Sequence, residues 1–206
     1  MIDKVVETYQ NYIQKIGDRY ELYKVVAQTF QIEAAIYPGS HVDITPSFVI
    51  PKITYIDNFS GSIKFFADLE SIRGYIDQHK DYAQPCEVAF LPNDYTDEME
   101  IAPVDLIISQ YAGFVGQSTK QYLKPGGIML CNDSHGDATH AKMDADYEFL
   151  GVVENNENGY RINFDEISKY FLLPKEKQID LNIVRSKMKG LKYSTNAENY
   201  VFRKIR

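Results

Sequence analysis

Across residues 2–30 the apolar positions fall at Val5, Val6, Tyr9, Ile13, Ile16, Tyr20, Tyr23, Val26 and Phe30. After the first pair every gap is three or four, which is helical spacing. The pattern predicts helix over Ile2–Phe30, split in two at Gly17-Asp18. The rhythm then changes to short apolar runs closed by turn formers. Ala34–Tyr37, Lys52–Asp57, Glu87–Leu91, Val104–Ser109 and Ile128–Asn132 read as five strands. Tyr147–Val153 and Asn199–Lys204 read as a sixth and a seventh. Between them, Ser62–Lys80 predicts helix with Gly74 as its weak point. Thr45-Pro46 resembles an N-cap with Pro at the first helical position, but Pro51 stops that helix within about one turn.

The segment Val104–Ser134 carries the topology. After Val104–Ser109 come about a dozen mixed residues, a length that parallel pairing needs for its crossover. Leu123-Lys124-Pro125-Gly126-Gly127 then precedes the next apolar run. Pro125 ends a helix, and the two glycines allow a reversal into the following strand. The result is a βαβ unit of an open α/β sheet, the kind that binds nucleotide-type ligands where its strands end. Glu154–Glu198 interrupts the last two strands. It starts with a turn over Glu154–Gly159 that leads to Tyr160–Asn163, and continues with helical stretches at Asp165–Phe171 and Ile179–Leu191 around Pro174. An insertion of this length in a compact domain is not pure loop. It either covers a substrate pocket or serves as an association surface, and a homodimer through it stays open.

Composition narrows the class. At 206 residues, 44% hydrophobic and 25% charged, the chain suits one globular domain, read as an N-terminal helical extension (1–30) and an α/β domain (31–206) with the insertion at 154–198. The net charge of −7 argues against general nucleic-acid binding, which needs a basic face. Lys175–Arg206 is locally basic and reads as a solvated face. No run has the roughly 18 apolar residues of a membrane helix. Met1–Glu7 lacks an apolar signal core, so the expectation is a cytoplasmic protein, with Cys86 and Cys131 as reduced thiols. Tyrosine is abundant, 16 residues against no Trp, a bias that implies no function by itself.

Five strands alternating with crossovers and followed by a late pair resemble the class I S-adenosylmethionine-dependent methyltransferase family. The residues that carry the likeness are Asp57 after the second strand, Asn93-Asp94 after the third, Asp105–Ala112 around the fourth, Leu123–Gly127 before the fifth and the terminal Tyr200–Lys204. It spans roughly residues 30–153 and 199–206. The fold it implies is an open, mostly parallel, Rossmann-like seven-stranded sheet with helices on both faces and an antiparallel last strand. The activity it implies is methyl transfer from S-adenosylmethionine to a small-molecule or protein acceptor. Asp57, with Asn58 beside it, would accept bonds from the ribose hydroxyls, and Asn93 or Asp94 would bind the adenine amino group. Ser109 and Gln110 would lie beside the cofactor, with Tyr111 or His135 on the substrate side.

The first loop departs from the family's acidic-x-Gly-x-Gly-x-Gly run. Over Tyr37-Pro38-Gly39-Ser40-His41-Val42-Asp43 only Gly39 matches. Tyr37 and Ser40 would contribute to the cofactor site beside it, and Asp43 is a candidate to replace the missing acid. The degenerate loop keeps open an alternative, a non-catalytic relative that binds a partner or a different ligand. Asn132–His140 packs two Asp and two His into nine residues. Some methyltransferases of this class bind a divalent metal near that point with carboxylates from the fourth and fifth strand ends. The fourth strand here ends in Ser109-Gln110, so the segment reads as a polar loop and no metal site is assigned. The chain has neither the Gly-x-Ser-x-Gly of hydrolases nor the Gly-x-Gly-x-x-Gly of dinucleotide-binding dehydrogenases.

Overall fold

A computed structural model describes residues 4–157 and 159–206, which form two compact units, Met1–Glu98 and Met99–Arg206. Ile2, where the first helix was expected to begin, and Asn158, in the expected turn, lie outside the described residues.

The first unit comprises α1 (Lys4–Ile16), α2 (Tyr20–Phe30), β1 (Ala34–Pro38), β2 (Lys52–Ile56), α3 (Ser60–Phe66), α4 (Leu69–His79) and β3 (Glu87–Leu91). Its strands are parallel in the order β3-β2-β1, with Tyr37 beside Tyr55 and Tyr55 beside Phe90. The break between α1 and α2 falls at Gly17, whose φ is 85°, and the Asp18 carboxylate accepts the Tyr20 amide at 2.8 Å. The expected helix over 62–80 is instead two helices. Its weak point is not Gly74, which sits inside α4, but Asp68, whose carboxylate caps α4 by accepting from the Ser71 amide at 3.1 Å. Thr45 is not an N-cap either. Thr45–Phe48 forms a 3-10 turn, and the Thr45 hydroxyl bonds the Tyr9 hydroxyl at 3.0 Å.

The two N-terminal helices are part of this unit's core. Tyr9 packs edge-on against Phe48 and Tyr75, and Tyr23 is fully buried. The buried polar centre is Asp43. Its carboxylate accepts from the Tyr23 hydroxyl at 3.1 Å, the Tyr37 hydroxyl at 3.2 Å and the Thr45 amide at 3.1 Å, and pairs with Arg19 at 3.6 Å. Burial pushes both phenols well above their ordinary range, so they stay protonated and donate.

The second unit comprises β4 (Val104–Ser109), α5 (Val115–Thr119), β5 (Leu123–Cys131), α6 (Asp137–Met143), β6 (Tyr147–Asn156), β7 (Gly159–Asn163), α7 (Leu181–Lys187) and β8 (Asn199–Lys204). The order is β4-β5-β8-β6-β7, parallel between β4 and β5 and antiparallel thereafter, so the last strand is antiparallel as expected. Eight strands occur among the described residues rather than seven, because Tyr160–Asn163 pairs back on β6 as a hairpin. Leu123–Gly127 does not precede the fifth strand but lies within it. Val104 faces Leu123 while Leu106 already faces Ile128, so the Pro-Gly-Gly segment is taken up as an irregularity in the ladder.

The insertion is held by aromatic packing. Phe171 meets Phe149, Tyr193 and Tyr200 at centroid distances of 5.1, 5.2 and 4.9 Å. Its first expected helix is only a 3-10 turn at Ile167–Lys169, and its second shrinks to α7, which Met188 ends at φ 46°. No helix among the described residues is long and apolar enough to cross a membrane. Replacing Asp43 by Ala should lower the unfolding free energy by about 3–5 kcal/mol, because the buried Tyr23 and Tyr37 hydroxyls and the Thr45 amide lose their acceptor and Arg19 loses its carboxylate. Urea unfolding of D43A measures this, and a loss below about 1 kcal/mol would show that the carboxylate is not the organising group.

Candidate functional site

In the first unit the functional candidates gather at the C-terminal ends of the parallel strands. Asp57 follows β2 and is half-buried. One carboxylate oxygen accepts the His41 amide at 2.8 Å and the other the Phe59 amide at 2.8 Å. An ionised carboxylate offers about four lone-pair sites, so two further hydroxyls can be accepted without breaking either bond. Gly39 stands beside this group at φ 66°, with its amide donated to the Ile56 carbonyl at 2.8 Å. Asn58 donates to Asp94 at 3.1 Å, which ties the loop after β2 to the loop after β3. The Asp94 carboxyl lies below its ordinary range because the Thr96 amide and hydroxyl bond it. The structure thus brings Gly39, Asp57, Asn58 and Asp94 together, with Asn93 half-buried in the same loop.

Tyr37 and Asp43 go elsewhere. Tyr37 is buried, and its hydroxyl is spent on Asp43. Asp43 faces the core, so it does not restore an acid to the first loop. Ser40 is buried as well, its hydroxyl reaching only the His41 carbonyl at 3.5 Å. The His41 ring sits between Tyr12 and Phe59, at centroid distances of 5.0 and 5.4 Å.

In the second unit the loops after β4 and β5 enclose a cleft of about 330 Å³. Its lining includes Tyr111, Asn132, Asp133 and Ser134, with Lys189–Lys192 and Asn196–Glu198 from the insertion. The two residues preceding Tyr111 serve internal bonding. Ser109 donates to Asp137 at 2.6 Å, and Gln110 bridges Asn199 at 2.8 Å and Asn132 at 3.1 Å. Tyr111 is half exposed, at φ 58°. His135 lies outside the lining, and its Nδ1 is 3.0 Å from the Ser134 hydroxyl, which donates to Asn132 at 2.6 Å. The segment read as a polar loop is half helix, because α6 starts at Asp137. No group of three or more His, Cys, Asp or Glu among the described residues is placed to hold a metal ion.

Two carboxyls here read in the sequence only as part of a polar loop. Burial raises Asp137 to about 7, against the opposing bonds from Ser109 and the Gly116 amide. Burial also raises Asp133 to about 6, although Thr139 bonds it through both amide and hydroxyl and the Leu191 amide bonds it too. Nothing local in Asn132–His140 distinguishes buried from solvated acids. The insertion is pressed against this loop at Gly190, where a Cβ would stand 2.0 Å from the Asp133 carbonyl oxygen. The Gly190 amide donates to the Ser134 carbonyl at 3.4 Å.

No family model matches the chain, and no curated protein matches it. Solved structures do. A methyltransferase from Geobacter sulfurreducens aligns at a TM-score of 0.51 and 15% identity, over 78% of this chain and 89% of its own. The O-methyltransferase TomG from Streptomyces achromogenes, involved in tomaymycin synthesis and solved in complex with SAM, aligns at 0.50 and 12%, over 79% and 88%. The chain therefore has the α/β fold of the class I methyltransferases, as the strand order and the antiparallel β8 indicate.

A raised carboxyl gives stability that is present at low pH and lost as pH climbs, because the unfolded chain releases its proton first. For Asp137 the window runs from its ordinary value of 3.8 to about 7. The difference in unfolding free energy between wild type and Asp137→Asn should fall steadily with pH across that window. A flat difference would show that Asp137 is not held protonated. Gly190→Ala should cost about 1–3 kcal/mol by forcing the insertion off Asp133, read as a lower thermal midpoint. An unchanged midpoint would mean that the contact is easily relieved.

Proposed function

We propose that the protein is an S-adenosylmethionine-dependent methyltransferase acting on a small-molecule or protein acceptor. The observation that carries this reading is Asp57, which stands at the C-terminal end of β2 with one oxygen on the first loop at His41, the other on its own loop at Phe59, and acceptor capacity to spare. The fold supports the reading, since the aligned structures are methyltransferases and one of them holds SAM.

The residues present fit the nucleoside part of that cofactor. Asp57 would accept both ribose hydroxyls, and the Asn58–Asp94 pair would frame the base. Gly39 and the backbone at His41 would lie against the cofactor. The bound cofactor would supply an electrophilic methyl group on a sulfonium. The chain's own work would then be alignment and exclusion of water rather than covalent chemistry. Asn132 and Ser134 would orient the acceptor in the second unit's cleft, and Tyr111 would shape the wall against which it packs. His135 lies outside the lining and bonds the Ser134 hydroxyl, which itself donates to Asn132, so its part would be to position that serine toward the acceptor.

A second reading has one observation in its favour. The first loop's acid is gone, and Tyr37 and Asp43 are sealed in the core. On that reading the protein is a non-catalytic relative that holds a partner or another ligand. Calorimetric titration with S-adenosylhomocysteine separates the two. We expect micromolar binding, weakened about tenfold to a hundredfold in Asp57→Ala, since a bond to an ionised group is worth about 1.5–3 kcal/mol. Asp57 also anchors two backbone amides, so the variant's thermal midpoint is measured beside it, and Asp57→Asn serves as the milder control. Absence of binding by a folded wild-type protein at millimolar ligand would sink the methyltransferase reading.

A further inference from the structure

Lys189 and Lys192 stand on the segment that walls the second unit's cleft. Both side chains are exposed, and neither ammonium has an ion-pair or hydrogen-bond partner among the described residues. Between Asp180 and Glu198 the chain carries Arg185, Lys187, Lys189 and Lys192 and no acid. On a protein of net charge −7, such a run is ordinarily just a solvated face.

Two features set this one apart. The backbone between the two lysines is fixed. Gly190 touches the Asp133 carbonyl too closely for any side chain, the Leu191 amide bonds the Asp133 carboxylate, and the Gly190 amide bonds the Ser134 carbonyl. A ligand therefore meets two charges on an ordered strap and does not have to order it, which removes part of the cost of binding. The neighbouring acid is also already engaged. The Asp133 oxygens are taken up by Thr139 and Leu191, and Glu198 is the lining's remaining acid. Two free ammoniums thus meet one free carboxylate, Glu198, while the second, Asp133, is held by its own hydrogen bonds. The half-exposed Tyr111 ring and buried Tyr200 add an aromatic wall to the same cleft.

We propose that this cleft binds a small organic oxyanion, a phosphate- or carboxylate-bearing molecule, with its charged group on Lys189 and Lys192 and its carbon skeleton against Tyr111. Lysine serves such groups as a point charge, and neither head group needs the planar fork of arginine. The volume suits a compact molecule rather than a polymer. The inference rests on the methyl-transfer reading only in calling that molecule the acceptor.

The test titrates the full chain with phenyl phosphate, benzoate, phenol and inorganic phosphate at low ionic strength, following the amide resonances of Gly190 and Leu191. Phenyl phosphate or benzoate should bind about tenfold more tightly than phenol, the sum of two modest charge contacts. The tighter of the two identifies the head group. Lys189→Gln/Lys192→Gln should abolish the difference while keeping the wild-type thermal midpoint. Equal affinity for phenol, or an anion preference that survives in the double variant, would overturn the proposal. Inorganic phosphate matching phenyl phosphate would also overturn it, since the ring would then contribute nothing. S-adenosylhomocysteine titration of the same proteins keeps the two readings apart. Lysine-dependent anion binding without cofactor binding would remove the acceptor role and leave the cleft assignment standing.

Discussion

Carboxylates that accept backbone amides hold in place the loops that follow the parallel strands of both units. A loop leaving a parallel strand carries N–H groups that the ladder no longer satisfies, and burying them unpaired is costly. Asp43 takes the Thr45 amide, Asp57 those of His41 and Phe59, and Asp94 that of Thr96. In the second unit Asp133 takes the Thr139 amide and Asp137 that of Gly116. The acids fall into two groups by environment. Asp57 and Asp94 remain partly open to solvent, with capacity left for a ligand, whereas Asp43 and Asp137 are enclosed and serve the fold.

The excess of tyrosine follows from the same need. Tyr9, Tyr23, Tyr37 and Tyr55 fill the first unit's core, and each spends its hydroxyl on Thr45, Asp43 or Ser47. Tyr193 does the same with Thr139, and Tyr200 accepts the Ala197 amide. A buried ring with a polar tip supplies apolar area and satisfies an inward-facing group at once. Phenylalanine at these positions would leave partners stranded. The tyrosine bias is therefore a property of how these cores are wired rather than a sign of chemistry.

The second unit's cleft depends on the insertion being docked rather than loose. The aromatic group around Phe171 holds its middle, and the contact at Gly190 brings its end onto the loop after β5. The two halves of that contact lie far apart in sequence, and neither is informative alone. A glycine between two lysines is unremarkable until Asp133 is seen against it.

Much of the α/β framework was legible from the chain. The apolar runs at 34–37, 52–57, 87–91, 104–109 and 199–204 became strands because short β-rich runs between turn formers have few other ways to bury themselves. Asp57 and Asn93-Asp94 were legible as site candidates because position at a strand end follows directly from where the strand stops. What only the tertiary structure decided was where side chains point and which distant segments meet. Tyr37 and Asp43 read as loop residues near a ligand, yet they close on each other and on Arg19 in the core. Asp133 and Asp137 read as part of a polar loop, yet burial raises them. Lys189 and Lys192 read as a solvated charge run, yet their backbone is pinned against Asp133. Local pattern encodes periodicity and propensity, which are properties of neighbouring residues. Burial, charge state and cleft walls are set by contacts between residues remote in the chain, and one sequence does not list those contacts.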